Sequence, residues 1–125
     1  MEQKKVSFFV GRLRSLKYAM VGLYKLCTTE DSIISQLSIG ALVMIAGWYF
    51  DISRTEWLFQ IMALGLVLAV EGLNTAVEKT ADFIHPDYHK KIGFIKDISA
   101  GAVTFAALTA VAIGLFIYLP KIFNF

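Results

Sequence analysis

The chain has 125 residues, of which 57% are hydrophobic and 18% charged, and its formal net charge at pH 7 is +2. This length supports a single domain, residues 1–125, and the apolar fraction exceeds the roughly 45–50% of ordinary soluble domains, which indicates a membrane protein. The small basic excess argues against a nucleic-acid-binding surface. The single cysteine, Cys27, excludes an intrachain disulfide and a thiolate metal site.

The N-terminal segment, residues 1–29, mixes charged and apolar side chains. Its apolar residues recur at helical spacing, with lysines and arginines between them. This pattern predicts one or two amphipathic helices that lie on the membrane surface. Packing of the same helix against its own bundle explains the pattern equally well, and the two arrangements are compatible.

Three apolar segments predict transmembrane helices. Residues 33–50 carry no charge, and eighteen residues at about 1.5 Å each cover roughly 27 Å, close to the thickness of a bilayer core. The second segment becomes long enough only if its helix runs over residues 57–83. Residues 98–119 form the third, again without a charge. Polar connections are predicted at 51–56 and 84–97.

The distribution of basic residues predicts the orientation of these helices. Ten of the twelve lysines and arginines lie in the N-terminal segment, at the end of the second span, or between the second and third spans. Basic residues concentrate in cytoplasmic segments of membrane proteins. We therefore expect a multi-pass protein of the bacterial plasma membrane with its N-terminus in the cytoplasm.

Polar residues interrupt the second span at helical spacing. Glu71 is followed by Asn74, Glu78 and Asp82, and at 100° per residue the other three lie within about 60° of Glu71. Carboxylates inside a membrane are costly and are functional candidates by default. Several acids on one face become favourable together when they share a cation, and hard oxygen ligands suit Mg²⁺ that arrives with nucleotide phosphates.

Glu71 and Glu78 differ in their expected depth in the membrane. Glu71 lies about 21 Å along the helix from Trp57, deeper in the membrane than Glu78. Partial burial makes a carboxylate a stronger base, and a base at headgroup depth can take a proton from a lipid hydroxyl. Glu30 lies just before the first span, at the cytoplasmic level of the membrane. Lys96, just before the third span, lies at the same level and could neutralise phosphate charge. These residues together indicate phosphoryl transfer without a Walker motif.

Three stretches of the chain, "EGLNTAVEKTADFI", "PDYH" and "KDISAGAV", closely resemble the prokaryotic diacylglycerol kinase family. The similarity extends over nearly the whole chain and is greatest to the Gram-positive branch of undecaprenol kinases. The resemblance implies a homotrimer of chains with three transmembrane helices and an N-terminal surface helix. It also implies composite active sites at the cytoplasmic face, formed by adjacent protomers that bind ATP with Mg²⁺.

The resemblance also implies roles for individual residues. By position in the motif, Glu71 is the general base, Asn74 orients the site, and Glu30 and Glu78 hold Mg²⁺ with ATP. The other residues implied to contact the nucleotide are Tyr18, Asp87, Tyr88, His89, Lys96 and Asp97. For Asp82, we keep the interpretation of a solvated helix end.

The function expected from this combination is an ATP-dependent lipid kinase. It would phosphorylate the hydroxyl of undecaprenol at the cytoplasmic membrane face and produce undecaprenyl phosphate. Diacylglycerol, which would give phosphatidic acid, is the alternative substrate. A membrane scaffold or an ion-conducting oligomer is the alternative class, in which the acidic face would line a three-fold axis.

Overall fold

The structure, a computed structural model, describes residues 7–125 and folds them into four α-helices. These are α1 (Phe8–Thr29), α2 (Asp31–Tyr49), α3 (Arg54–Ile84) and α4 (Lys90–Phe123). The prediction of an all-helical chain is therefore confirmed. The first six residues of the predicted amphipathic segment lie outside the described residues, and the rest of that segment forms the single helix α1.

Helices α1 and α2 are separated by one residue, Glu30. Its extended backbone (φ −107°, ψ 110°) ends one helix and begins the next. A glutamate at a helix start can act as a cap, but the Glu30 side chain makes no capping hydrogen bond to α2. Its carboxylate is therefore available to other partners at this junction.

A tight turn joins α2 to α3. Asp51 adopts a left-handed conformation (φ 51°), and Ser53 then caps α3. The Ser53 hydroxyl accepts a hydrogen bond from the Glu56 amide at 3.2 Å, while the Glu56 carboxylate accepts one from the Ser53 amide at 3.0 Å. This reciprocal capping box fixes the start of α3.

The connection between α3 and α4 is shorter than predicted. Helix α3 ends at Ile84, two residues before the helix-breaking Pro86, and α4 already begins at Lys90. The prediction of a polar connection over residues 84–97 is wrong for residues 90–97. These residues form the first two turns of α4. The helix begins here because the His89 side chain caps it by accepting a hydrogen bond from the Lys91 amide at 3.1 Å.

Three of the helices are long and apolar enough to cross a membrane. Among the described residues these are α2, α3 and α4, with mean hydropathies of 1.5, 1.6 and 2.2 over their most apolar windows. Few side chains are buried inside the chain, and most large apolar ones are exposed. Apolar surface of this extent is typical of helices that face lipid or neighbouring helices in a membrane.

Helices α3 and α4 pack against each other more extensively than any other pair. Near one end, Gln60 is only 3% exposed. It accepts a hydrogen bond from the Tyr118 hydroxyl and donates one to the Val43 carbonyl oxygen at 3.4 Å. These polar groups satisfy one another inside an apolar bundle, and they join α2, α3 and α4.

Candidate active site

The polar residues of the predicted site collect at one end of the helix bundle. We call this the motif end; it comprises Glu30, the part of α3 from 71 to 82, and the α3–α4 connection with the first turns of α4. Two ion pairs hold these elements together. Lys79 of α3 contacts Glu30, and Lys96 of α4 contacts Asp82 of α3.

The acidic face of α3 becomes more exposed towards the motif end. Glu71 and Asn74 are half-buried, whereas Glu78 is exposed. The Asn74 side-chain amide donates a hydrogen bond to the Glu78 carboxylate at 3.4 Å. Asn74 Oδ1 is buried and has no partner among the described residues. A buried acceptor without a partner is unusual, and it suits a ligand that donates a hydrogen bond or offers positive charge.

Among the described residues, Glu71 has no hydrogen-bond or ion-pair partner that would explain a carboxylate at this position. Within residues 7–125 its side chain makes no ion pair and no hydrogen bond. A structural role as one half of a buried ion pair is therefore unsupported by contacts within the chain. A half-buried carboxylate without a partner can accept a proton from a group placed beside it.

The Glu30 carboxylate contacts α3 at Lys79, the residue that follows Glu78. Its Oε1 atom is 3.3 Å from Lys79 Nζ and 3.4 Å from the Thr29 hydroxyl. Sequence analysis assigned Glu30 and Glu78 to one Mg²⁺ ion. The structure places Glu30 beside the turn that carries Glu78, with Lys79 as its charged partner.

The donor set at this position fits Mg²⁺ that is bound together with a nucleotide. Among residues 7–125, no group of three or more His, Cys, Asp or Glu side chains is close enough to hold a metal ion. Mg²⁺ usually takes only one or two carboxylates, and substrate phosphates and water supply its other ligands. Glu30, Glu78 and the free Oδ1 atom of Asn74 offer oxygen ligands of this kind.

Lys96 reaches back from α4 to α3. Its ammonium lies 2.5 Å from Asp82 Oδ1, and the lysine side chain is 37% exposed. Asp97, the next residue, is exposed. The sequence assigned Lys96 to phosphate binding and Asp82 to a solvated helix end, but the structure gives Asp82 a specific partner.

The α3–α4 connection carries three further predicted nucleotide contacts. Asp87, Tyr88 and His89 are all exposed. The Tyr88 ring lies over Gly93, where an added Cβ would be 3.3 Å from Tyr88 Cε2. His89 Nδ1 accepts the capping hydrogen bond of α4, which leaves Nε2 as the ring nitrogen available to a ligand.

Tyr18 is the predicted site residue that the structure does not bring to the motif end within one chain. It precedes Glu30 by twelve residues, about 18 Å along a helix. Its side chain is 66% exposed. It has no hydrogen-bond or aromatic partner among the described residues.

Sequence reasoning missed the two charged side chains that connect the helices here. Lys79 entered only the count of basic residues, and Asp82 was interpreted as solvated. The only sequence signal was their position on α3, one and four residues after Glu78. That spacing places both within reach of the acidic face, but it does not reveal the partner on another helix.

Comparison with known proteins decides the family. A model of the family described as prokaryotic diacylglycerol kinase matches residues 17–118. The chain belongs to the prokaryotic diacylglycerol kinase family. The matched region includes every predicted site residue, and the resemblance inferred from the sequence motifs is confirmed.

Curated relatives in this family fall into two groups by name. The undecaprenol kinase of Bacillus subtilis is 33% identical over 109 residues, covering 87% of this chain and 89% of the relative. The diacylglycerol kinase of Escherichia coli strain K12 is 30% identical over 105 residues, covering 82% and 84%. The diacylglycerol kinase of Synechocystis is 29% identical over 113 residues, covering 90% of this chain and 65% of the relative.

Family membership and the three apolar helices identify the chain as a multi-pass bacterial membrane protein. They also assign it to a family of lipid kinases, because both groups of relatives are named as kinases of lipids. The predictions of a kinase and of a membrane location are confirmed at this level. The residue roles, the metal, the assembly and the orientation stay predictions.

Proposed function

We propose that this protein phosphorylates the hydroxyl group of undecaprenol with ATP at the cytoplasmic face of the plasma membrane. The observation that carries the proposal is the motif end. There, among the described residues, a half-buried carboxylate without a partner lies one helical turn from an amide oxygen without a partner. Glu78 follows on the same helix, and Glu30 and Lys96 reach this end from neighbouring elements. These groups can supply a base, positive charge for phosphates, and ligands for Mg²⁺.

Glu71 is the proposed general base. Its carboxylate accepts the proton of the lipid hydroxyl, and Asn74, one helical turn further along α3, orients the site. The hydroxyl oxygen then forms a bond to the γ-phosphorus of ATP. The bond between the γ-phosphorus and the bridging oxygen breaks, and ADP leaves with the electron pair of that bond.

Charged groups at the motif end bind the nucleotide in this proposal. Glu30 and Glu78 would hold Mg²⁺, which neutralises phosphate charge when bound. Lys96 would contact phosphate oxygens, and Asp97 and the connection residues Asp87, Tyr88 and His89 would contact the rest of the nucleotide. The exposure of this connection leaves it accessible from the aqueous side.

Undecaprenol is the proposed substrate because the relative named for it is 33% identical over 109 residues, against 29% and 30% for the two diacylglycerol kinases compared above. Diacylglycerol is the second candidate, and both lipids carry a hydroxyl at headgroup depth. A scaffold or an ion conductor gains no support from the family to which the chain belongs.

We further propose a homotrimer with composite sites and a cytoplasmic N-terminus. The exposed apolar side chains of α2, α3 and α4 offer surfaces for neighbouring copies. The separation of Tyr18 from the motif end supports a role for this residue in the site of an adjacent copy. Orientation rests on the distribution of basic residues. The mass of the detergent-solubilised assembly tests the trimer.

The decisive experiment measures phosphate transfer from γ-labelled ATP to undecaprenol and to diacylglycerol in parallel mixed micelles with Mg²⁺. Label mainly in undecaprenyl phosphate supports the proposal, whereas label mainly in phosphatidic acid replaces the substrate and keeps the chemistry. Folded protein that labels neither lipid would contradict the kinase assignment. The Glu71→Gln variant serves as the control for enzyme-dependent transfer.

A further inference from the structure

Lys79 is a charged residue at the motif end to which the proposed function assigns no role. It follows Glu78 on α3, and its Nζ atom lies 3.3 Å from Glu30 Oε1. The two side chains differ in exposure. The Glu30 side chain is 21% exposed, whereas the Lys79 side chain is 68% exposed. The carboxylate is therefore held in the protein, while the lysine approaches it from solvent.

The position of Glu30 is determined by more than this ion pair. Its backbone forms the break between α1 and α2. Leu26, near the end of α1, also lies against Gly72 of α3, where an added Cβ atom would be 3.3 Å from Leu26 Cδ1. The Thr29 hydroxyl gives Glu30 Oε1 a further polar neighbour at 3.4 Å. The Glu30 backbone can therefore keep its place when Lys79 moves away.

An exposed lysine that pairs with a glutamate contributes little to stability and exchanges readily. The lysine side chain is long and flexible, and its ammonium can turn from one anion to another without moving the backbone. A divalent cation competes directly for the carboxylate that Lys79 occupies. A nucleotide that arrives with this cation brings several negative phosphate oxygens to the same position.

We propose that Lys79 is a phosphate-binding residue that exchanges partners when the nucleotide binds. In the nucleotide-free protein its ammonium pairs with Glu30. When Mg²⁺ and nucleotide bind, Glu30 becomes available to the metal ion and Lys79 turns to the polyphosphate. This inference rests on the proposed kinase function and adds a second lysine, on α3, to Lys96 on α4.

Equilibrium binding to the full-length chain in detergent micelles tests the exchange. The variants are Lys79→Met, which removes the charge and keeps the length, and Lys79→Arg, which keeps the charge. Lys25→Met is the matched control, since Lys25 is also exposed and lies on α1 near the same end without an ion pair among the described residues. The probes are the non-hydrolysable ATP analogue AMP-PNP with Mg²⁺, AMP, and Mn²⁺ alone.

Lys79→Met is expected to weaken AMP-PNP binding about tenfold, the effect of one hydrogen bond to a charged group. AMP binding is expected to change less than about twofold, because AMP lacks the β- and γ-phosphates. Binding of Mn²⁺ alone is expected to stay the same or become tighter, because its competitor for Glu30 is gone. Lys79→Arg should retain most of the affinity, and Lys25→Met should resemble the unmodified protein.

Two results would overturn the inference. Equal loss of AMP-PNP and Mn²⁺ binding in Lys79→Met would show that Lys79 only holds Glu30 in place. Binding by Lys79→Met that matches Lys25→Met would show that Lys79 does not contact the nucleotide. If the unmodified protein transfers phosphate to lipid in either case, the proposed function stands and only the role of Lys79 fails. Absence of both transfer and AMP-PNP binding would instead contradict the proposed function.

A second measurement needs no substitution and so does not depend on the folding of a variant. Acetylation of lysines in the unmodified protein is followed by mass spectrometry with Mg²⁺ alone and with Mg²⁺ and AMP-PNP. The nucleotide is expected to slow acetylation of Lys79 several-fold relative to Lys25. An unchanged ratio of the two rates would contradict the proposed exchange.

Discussion

Asp82 and Lys96 form an ion pair that joins the last turns of α3 to the first turns of α4. Lys96 Nζ lies 2.5 Å from Asp82 Oδ1, and the side chains are 37% and 60% exposed, respectively. A pair this exposed contributes about 0.5 kcal/mol or less to stability. Its more important effect is to hold the Lys96 ammonium on the side of α4 that faces the acidic residues of α3.

Replacement of Asp82 by Asn should therefore lower activity more than stability. We expect kcat/KM for ATP to fall about three- to tenfold, since Lys96 is less well oriented towards phosphate. The thermal midpoint in micelles should change by a few degrees at most, as expected for an exposed ion pair. Lys96→Met should lower kcat/KM about a hundredfold, because it removes the charge itself.

A double-variant cycle tests whether Asp82 affects activity through Lys96 or independently of it. Asp82→Asn should have no further effect on kcat/KM when Lys96 is already methionine. If it lowers the residual activity by the same factor as in the unmodified chain, Asp82 does not act through Lys96. Asp82→Glu should recover part of the loss.

Replacement of Glu71 by Gln should separate catalysis from binding. Turnover is expected to fall about 10²- to 10⁴-fold, because the amide cannot accept the hydroxyl proton. Affinity for the non-hydrolysable ATP analogue should stay within about twofold. Single-turnover transfer and equilibrium binding measure the two effects. Turnover close to that of the unmodified protein would contradict the assignment of Glu71 as base.

Glu30 and Glu78 should determine the requirement for Mg²⁺. Glu30→Gln and Glu78→Gln are each expected to raise the Mg²⁺ concentration for half-maximal activity about five- to tenfold, since each removes one charged oxygen ligand. Titration of Mg²⁺ at fixed nucleotide measures this shift. Asp31→Asn is the matched control, because Asp31 is an exposed carboxylate next to Glu30. An equal shift in this control would indicate a general effect of charge.

Replacement of Gly47 by Ala should destabilise the end of the bundle opposite the motif end. An added Cβ would lie 2.9 Å from Trp57 Cη2, 3.0 Å from Ile52 Cδ1 and 3.1 Å from Gln60 Nε2. Overpacking of this kind typically costs about 1–3 kcal/mol. Thermal unfolding in micelles measures the loss. Gly65→Ala, where the chain has open space, is the control, and equal destabilisation of both variants would contradict the packing argument.

The Tyr118 hydroxyl should contribute to stability and not to turnover. It donates to Gln60, which is buried, and its removal in Tyr118→Phe leaves the Gln60 oxygen without that donor. Such a loss costs about 1–3 kcal/mol. Tyr49→Phe is the control, since Tyr49 lies exposed at the end of α2. Unfolding of the two variants is compared, and loss of turnover in a folded Tyr118→Phe protein would indicate a different role.

The sequence predicts well those features that depend on one segment at a time. The uncharged runs at 33–50 and 98–119 indicate membrane-spanning helices because a bilayer requires apolar side chains over a fixed length. The face shared by Glu71, Asn74 and Glu78 follows from helical geometry alone. The prediction is wrong at residues 90–97 because their charged side chains, the lysines and Asp97, indicate a loop. In the structure, His89 caps a helix that begins at Lys90.

Features that depend on the rotation of one helix against another could not be predicted. The sequence does not reveal that Lys79 faces Glu30 or that Asp82 faces Lys96, because each pair joins residues on different elements. The contact of Gly72 with Leu26 is of the same kind. Such partners become visible only when the angle and depth of each helix in the bundle are known.

The packing of α3 on α4, with an ion pair near each end, sets a fixed length. Lys121 contacts Glu56 at 3.0 Å near one end of these helices, as Lys96 contacts Asp82 near the other. Between the pairs lie nearly equal stretches of α3 and α4, about 38 Å of each helix. Neither helix can slide along the other without breaking both pairs and the packing between the two helices. A bilayer of different thickness must therefore deform around this hairpin or tilt it, and the acidic face keeps a constant height above the opposite end.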